Sequence, residues 1–274
     1  MNKLLRWGNF IIYIVMIAIN ALANIFTFGG NTTGAVSAKY SNLFTPAPYT
    51  FSIWGVIYIF MGFYVIYAVI KSPKLRSIED MQDSVGIWFC LSCIFNIAWI
   101  FTWHFEKIGL SVVCILGLLL SLIIINIRFS LHPEVSIPVR VCIYGFNIYL
   151  GWICAAVIAN ISVFLTKVGW GGFGLSSKVW MMIILVITCL LGILLTFIGG
   201  RFMATAALLW AVIGIMVKHL SNEGFDNAYP VITFTLICIA VILWLVIMYY
   251  PLRTCKSTTY HKLKDKDSHD IKDL

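Results

Sequence analysis

Long apolar runs alternate with short polar breaks along this chain, and the most informative run covers residues 44–67. Pro46 and Pro48 lack a backbone N–H and push the residue before each of them out of the α region. The spacing therefore predicts a loop that ends at these prolines and a helix that starts near Tyr49. No charge follows until Lys71. A helix rising about 1.5 Å per residue needs about 20 residues to cross ~30 Å of hydrocarbon, so the run predicts a membrane span. On it Trp54, Tyr58, Met61 and Tyr64 share one face at i, i+3, i+4 spacing. Gly55 and Gly62 are residues small enough to let helices approach closely. Such a face serves either helix packing or a pocket for a flat ligand.

The same pattern, followed in order, predicts an all-α polytopic membrane helix bundle of about eight spans. Residues 10–28 follow Lys3 and Arg6 as a signal peptide would, with Ala21-Leu22-Ala23 resembling a cleavage site. The run is long enough to span, and Asn20 and Asn24, one turn apart, form a polar edge suited to packing inside a bundle. A retained first helix is expected. Residues 29–48 read as a Gly, Thr, Ser and Asn loop with one charge, Lys39, and a glycosylation sequon at Asn31-Thr32-Thr33. The second span ends in a basic loop at 71–76, broken by Pro73, and Glu79, Asp80 and Asp83 lead into the third, near 84–104. There Asn96, Trp99 and Trp103 share a face. A fourth span covers about 108–129, and in the fifth, Trp152, Ala156 and Asn160 recur at i, i+4. Three further runs lie near 179–198, 202–217 and 231–250. Between them, the glycines of 167–174 with Trp170 and Phe173 suit an interfacial loop. Gly199-Gly200-Arg201 reads as a hinge. The tail, 251–274, alternates Lys and Asp and is predicted disordered, with Cys255 a candidate for palmitoylation.

Composition agrees: 61% of residues are hydrophobic and 11% charged, less than half the charge of a usual soluble domain. The net charge of +8 sits in short loops and the tail rather than on one amphipathic face, which speaks for membrane topology and against nucleic acid. If an even number of spans puts both ends on one side, Lys39, Lys107, Lys167, Lys178 and Lys218 face the other. The remaining fourteen of the 19 basic residues then predict cytoplasmic N- and C-termini. Cys90-x-x-Cys93 has no second ligand pair at zinc spacing and reads as packing. His219, Glu223 and Asp226 read as a solvated loop rather than a metal site. No Asp, Glu or Lys falls mid-span, which removes the relay or counter-ion that proton-coupled transporters and retinal pigments use. No phosphate loop, zinc-protease helix or Ser/His/Asp set appears, so no catalytic residue and no metal ligand is assigned. The chemistry left inside the membrane is aromatic and amide.

Three separated motifs carry a resemblance. The first is Pro46 followed by Trp54, Gly55, Tyr58, Met61 and Gly62; the second is Asn96 and Trp99; the third is Trp152, Ala156 and Asn160. In order and spacing these resemble the TspO/MBR family of tryptophan-rich sensory proteins, or translocator proteins, whose unit is five helices. The resemblance covers about residues 8–165. It implies a TspO-like five-helix domain at 1–165, three additional helices at 166–250 and a tail at 251–274. The chain departs from the family pattern at Ser52, where the family has proline. It also lacks the tyrosine of the sterol-linked motif in 161–167, so sterol handling is not supported.

The resemblance implies a membrane sensor that binds a planar apolar tetrapyrrole, porphyrin or haem, between Trp54, Trp99 and Trp152. Pro46, Tyr58, Trp103 and Ala156 complete the expected site, Asn96 and Asn160 offer hydrogen bonds, and loop 29–48 covers it. No cofactor is required; the expected partners are the small apolar ligand and the lipid bilayer, with room for a homodimer. Weak light-dependent breakdown of the tetrapyrrole, assisted by Trp54 and Trp152, is a further implication. The alternative function is a transporter or exporter of a small apolar solute, with the same amides lining its path.

Overall fold

Among the described residues of the computed structural model, eight helices are long and apolar enough to cross a membrane. The structure describes residues 3–70, 76–131 and 136–270; Lys71, Pro73 and Lys74 of the expected basic loop lie outside the described residues. Among these residues all regular structure is helical: α1 (Lys3–Ile25), α2 (Thr33–Lys39), α3 (Ile53–Val69), α4 (Arg76–His104), α5 (Ile108–Ser130), α6 (Ile137–Lys167), α7 (Ser177–Phe197), α8 (Phe202–Leu220) and α9 (Pro230–Asp270).

Local chemistry explains where elements differ from the expectation. The segment after Pro48 first forms a 3-10 turn, Pro48–Ser52, and becomes α-helical only at Ile53. Proline suits a first helical turn because its missing N–H would have no partner there. The expected loop 29–48 contains a short helix, α2, whose N-cap Thr32 accepts a hydrogen bond from the Ala35 N–H at 3.2 Å. At the other end of the chain, the backbone of α9 stays helical past Pro251 to Asp270, where low apolar content predicted a disordered tail.

Packing follows the small and amide positions. α4 lies between α1 and α5, α5 packs on α6, and α6 is gripped by α3 on one side and α8 on the other, while α7 leans on α8 and α9. At Gly62 the helices α1 and α3 touch, since a Cβ there would sit 2.7 Å from the Tyr13 hydroxyl, which donates to the Tyr58 carbonyl. Gly55, expected to do the same, faces open space instead. α6 and α8 approach closely at Gly151, which meets the Ala204 carbonyl with no room for a side chain. Of the expected polar edge of α1, Asn20 is buried, whereas Asn24 is exposed and donates to the Asn20 carbonyl at 3.0 Å. Asn20 donates to Asn96 Oδ1 at 2.8 Å, and Asn96 donates to the Tyr149 hydroxyl at 3.0 Å, joining α1, α4 and α6. In lipid each such bond contributes on the order of 1 kcal/mol. Toward the opposite end, Tyr64, Phe89, Phe129 and Phe146 interlock at ring distances of 4.8 to 6.1 Å and close the core.

Candidate aromatic ligand cage

α3, α4 and α6 each bring an indole to one place. Trp54 lies 5.7 Å from Trp99 and 6.2 Å from Trp152, ring centre to ring centre, and Trp103 stacks on Trp99 at 5.7 Å. The i, i+4 step on α4 puts its two indoles on one face. Together with Phe44, Pro46 and Phe51 from the covering segment, small residues of α6 and Ala211 and Ile215 of α8, they line a cavity of about 30 Å³.

The indole N–H groups differ. Trp99 Nε1 donates to Asn160 Oδ1 at 3.2 Å, and Trp103 Nε1 donates to the Thr33 carbonyl at 3.1 Å. Trp152 is almost wholly buried, and its N–H has no protein partner. A buried donor left without a partner costs about 1–3 kcal/mol, which makes it the group with most to gain from an acceptor on a ligand.

Of the residues expected at the site, Pro46, Trp54, Trp99, Trp103, Trp152, Ala156 and Asn160 converge on this cavity. Tyr58 and Asn96 do not line it. Tyr58 stacks on the far side of Trp54 and lines a separate groove between α1 and α3, while Asn96 is committed to Asn20 and Tyr149. Asn160 lines the cavity, but its amide is already engaged with Ser111 at 2.9 Å and with Trp99. The amides therefore set helix positions, and the cage surface is aromatic and apolar.

Segment 26–52 closes the cage and is tied along two edges. At one edge Glu106, in the turn between α4 and α5, receives Lys39 at 2.7 and 2.8 Å, the Tyr40 hydroxyl at 2.6 Å and Asn31 at 3.3 Å. Its backbone carbonyl receives Lys167 at 2.6 Å. The bonds from Lys39 and then Tyr40 hold the Glu106 carboxyl below the usual carboxylate range, and the same bonds push Lys39 and Tyr40 up. Glu106 has φ 54, a left-handed conformation that costs a non-glycine residue energy and aims it back at the segment. The sequon falls within this edge, with Thr33 buried against His104 at 3.0 Å.

The other edge rests on α8. Ala47 N–H donates to the Gly214 carbonyl at 3.0 Å, Trp210 Nε1 to the Thr50 carbonyl at 2.8 Å, and His219 Nε2 to the Leu43 carbonyl at 2.9 Å. Gly214 is required here, because a Cβ would collide with the Thr50 side chain. His219, considered above with Glu223 and Asp226, is buried in this tie, and among the described residues no three His, Cys, Asp or Glu gather as a metal site would need.

Residues 6–249 match the family model described as TSPO-like protein. The chain belongs to the TSPO-like family. No curated protein and no solved structure matches it. The family match runs from α1 into α9, so it includes the helix that completes the cage of this TSPO-like protein. That contribution of α8 was missed by the motifs, although Ala207, Ala211 and Gly214, spaced at i, i+4, i+7, give the small-residue stripe that marks a close helix contact. Phe44 and Phe51 were equally missed, lying on either side of the prolines as unremarked apolar residues.

Proposed function

We propose that this multi-pass membrane protein is a sensor that binds a planar apolar ligand of the tetrapyrrole class in the cage of Trp54, Trp99, Trp103 and Trp152. The observation that carries the reading is four indoles around one cavity, one of them with a buried N–H free to donate. Each aromatic pair adds about 0.5–1.5 kcal/mol beyond burial, and apolar burial adds about 25 cal/mol per Å² before association costs. Micromolar affinity is the expected scale for such a ligand. Among the described residues the lining offers no His, Cys or Met side chain to ligate iron, so the chemistry of the cage suits a free-base porphyrin better than haem.

A cavity of about 30 Å³ holds no more than a water molecule. A porphyrin enters only when the cover or a wall moves, and that movement is the event a sensor would report. The second reading, export of a small apolar solute, draws support from two grooves of about 650 and 590 Å³ that flank the cage. Protoporphyrin titration and flux in proteoliposomes separate the two. Saturable quenching without flux above a protein-free leak supports the sensor, whereas flux above the leak supports the exporter, and absence of both defeats the cage reading. The proposed orientation has both termini cytoplasmic, so a cysteine in place of Lys39 should be labelled from outside by an impermeant maleimide; labelling only after permeabilisation reverses it.

A further inference from the structure

The larger flanking groove, about 650 Å³, opens between α6 and α7. These two helices barely touch, because α7 is carried by α8 and α9. Ser162 and Leu165 of α6 form one wall, and Met181 and Ile184 of α7 form the other. The 169–176 loop and residues 42–44 close the end nearest the membrane surface. No charged residue is among the described lining residues, and the hydroxyl and amide groups sit toward the loops while isoleucine and methionine lie deeper. Such a surface admits an uncharged apolar body from the hydrocarbon and rejects an ion, which would lose its hydration there.

One side chain, Phe44, lines both this groove and the aromatic cage. It is almost fully buried, yet it belongs to a loop rather than a helix, and it makes no ring contact with any described aromatic. The groove on the opposite side, between α1 and α3, meets the cage at Phe51 and Trp54. Those two are pinned: Phe51 packs edge-on against Trp152 at 6.1 Å, and Trp54 contacts Tyr58, Trp99, Tyr149 and Trp152 within 6.2 Å. A partition of one unstacked loop residue moves more readily than one held by five ring contacts.

We propose that the α6–α7 groove is a second binding site, an antechamber in which an uncharged or weakly polar planar ligand taken from the bilayer waits, and that displacement of Phe44 passes it into the cage. This rests on the cage reading above, and it gives α7 a role in ligand uptake.

The test is stopped-flow quenching by protoporphyrin IX dimethyl ester, whose esterified propionates carry no charge, of the full chain in nanodiscs, recording association, release and Kd for the wild type, Ser162→Phe, Leu165→Phe and Ala21→Phe. The first two fill the α6–α7 groove, and the third fills the α1–α3 groove. A block on the only route slows entry and exit alike without changing the end states. The expected result is association and release both slowed about tenfold in Ser162→Phe and Leu165→Phe with Kd unchanged, and wild-type rates in Ala21→Phe. Wild-type rates in the α6–α7 variants, slowing in Ala21→Phe, or a changed Kd without slowing would each overturn the proposal while leaving the cage reading intact. Failure of both α6–α7 variants to fold would also overturn it, since the open space it requires would then be absent. Absence of saturable quenching in the wild type would defeat the cage reading, and this proposal with it.

Discussion

The segment over the cage is tied along two edges with opposite chemistry. Along α8 the ties are neutral and largely buried: three donors meet the carbonyls of Leu43, Thr50 and Gly214, and Gly214 lets the backbones touch. Along the α4–α5 turn they are charged and face water, with the Lys39 side chain 55% exposed. Buried neutral bonds have no competing water and no dependence on salt, whereas an exposed ion pair is screened and worth little. The difference makes the α8 edge a pivot and the Glu106 edge a latch. His219 does not blur the contrast, because an imidazole that donates Nε2–H to the Leu43 carbonyl does so whether neutral or protonated.

The pivot gives the largest expected effect. Gly214→Ala forces a methyl against the Thr50 side chain and parts the Ala47 bond, an overpacking that costs about 1–3 kcal/mol. Thermal unfolding in detergent should show a clear drop in midpoint; an unchanged midpoint would mean that α8 does not hold the segment. The latch should behave otherwise. Glu106→Gln keeps a hydrogen-bond acceptor but loses the charge that Lys39 pairs with, so trypsin cleavage after Lys39 should quicken several-fold with the thermal midpoint nearly constant. A falling midpoint with unchanged cleavage would reverse the two roles.

Acid gives a smaller, graded version of the same release. The Glu106 carboxyl is held below its ordinary range by Lys39 and Tyr40, so its contribution is complete above that range and lost as pH falls through the lowered value. Amide exchange in α2, corrected for intrinsic rate, should therefore rise on acidification below the carboxylate range and stay flat between that range and neutrality. A rise near neutral pH instead would place the control on a histidine.

Much of this was legible in the residues. Charge-free runs with basic flanks marked the spans, and helical spacing put Trp54, Trp99, Trp152 and Asn160 on inward faces. Asn20 announced a buried polar contact of α1, while Asn24, one turn on, stays exposed. The parts that stayed hidden depended on distant partners. Asn96 and Tyr58 lie on expected faces, but packing of α1 drew both away from the cage. The Lys39–Glu106 pair joins positions 67 residues apart, each of which alone reads as an ordinary loop charge. α2 is seven residues long, and only its capping Thr32 signalled it. α8 closes the cage with Ala211 and Ile215, residue types that look the same whether they face lipid, a neighbour or a ligand.

The central claim is that the indoles form a binding surface rather than only a helix joint. Tryptophan quenching during protoporphyrin titration, for the wild type, Trp54→Phe and Trp152→Phe, tests it most directly. Phenylalanine retains most of the packing but removes stacking area and, at position 152, the unpartnered N–H. The account predicts several-fold weaker affinity in both variants with little loss of thermal stability, whereas unchanged affinity with lowered stability would contradict it.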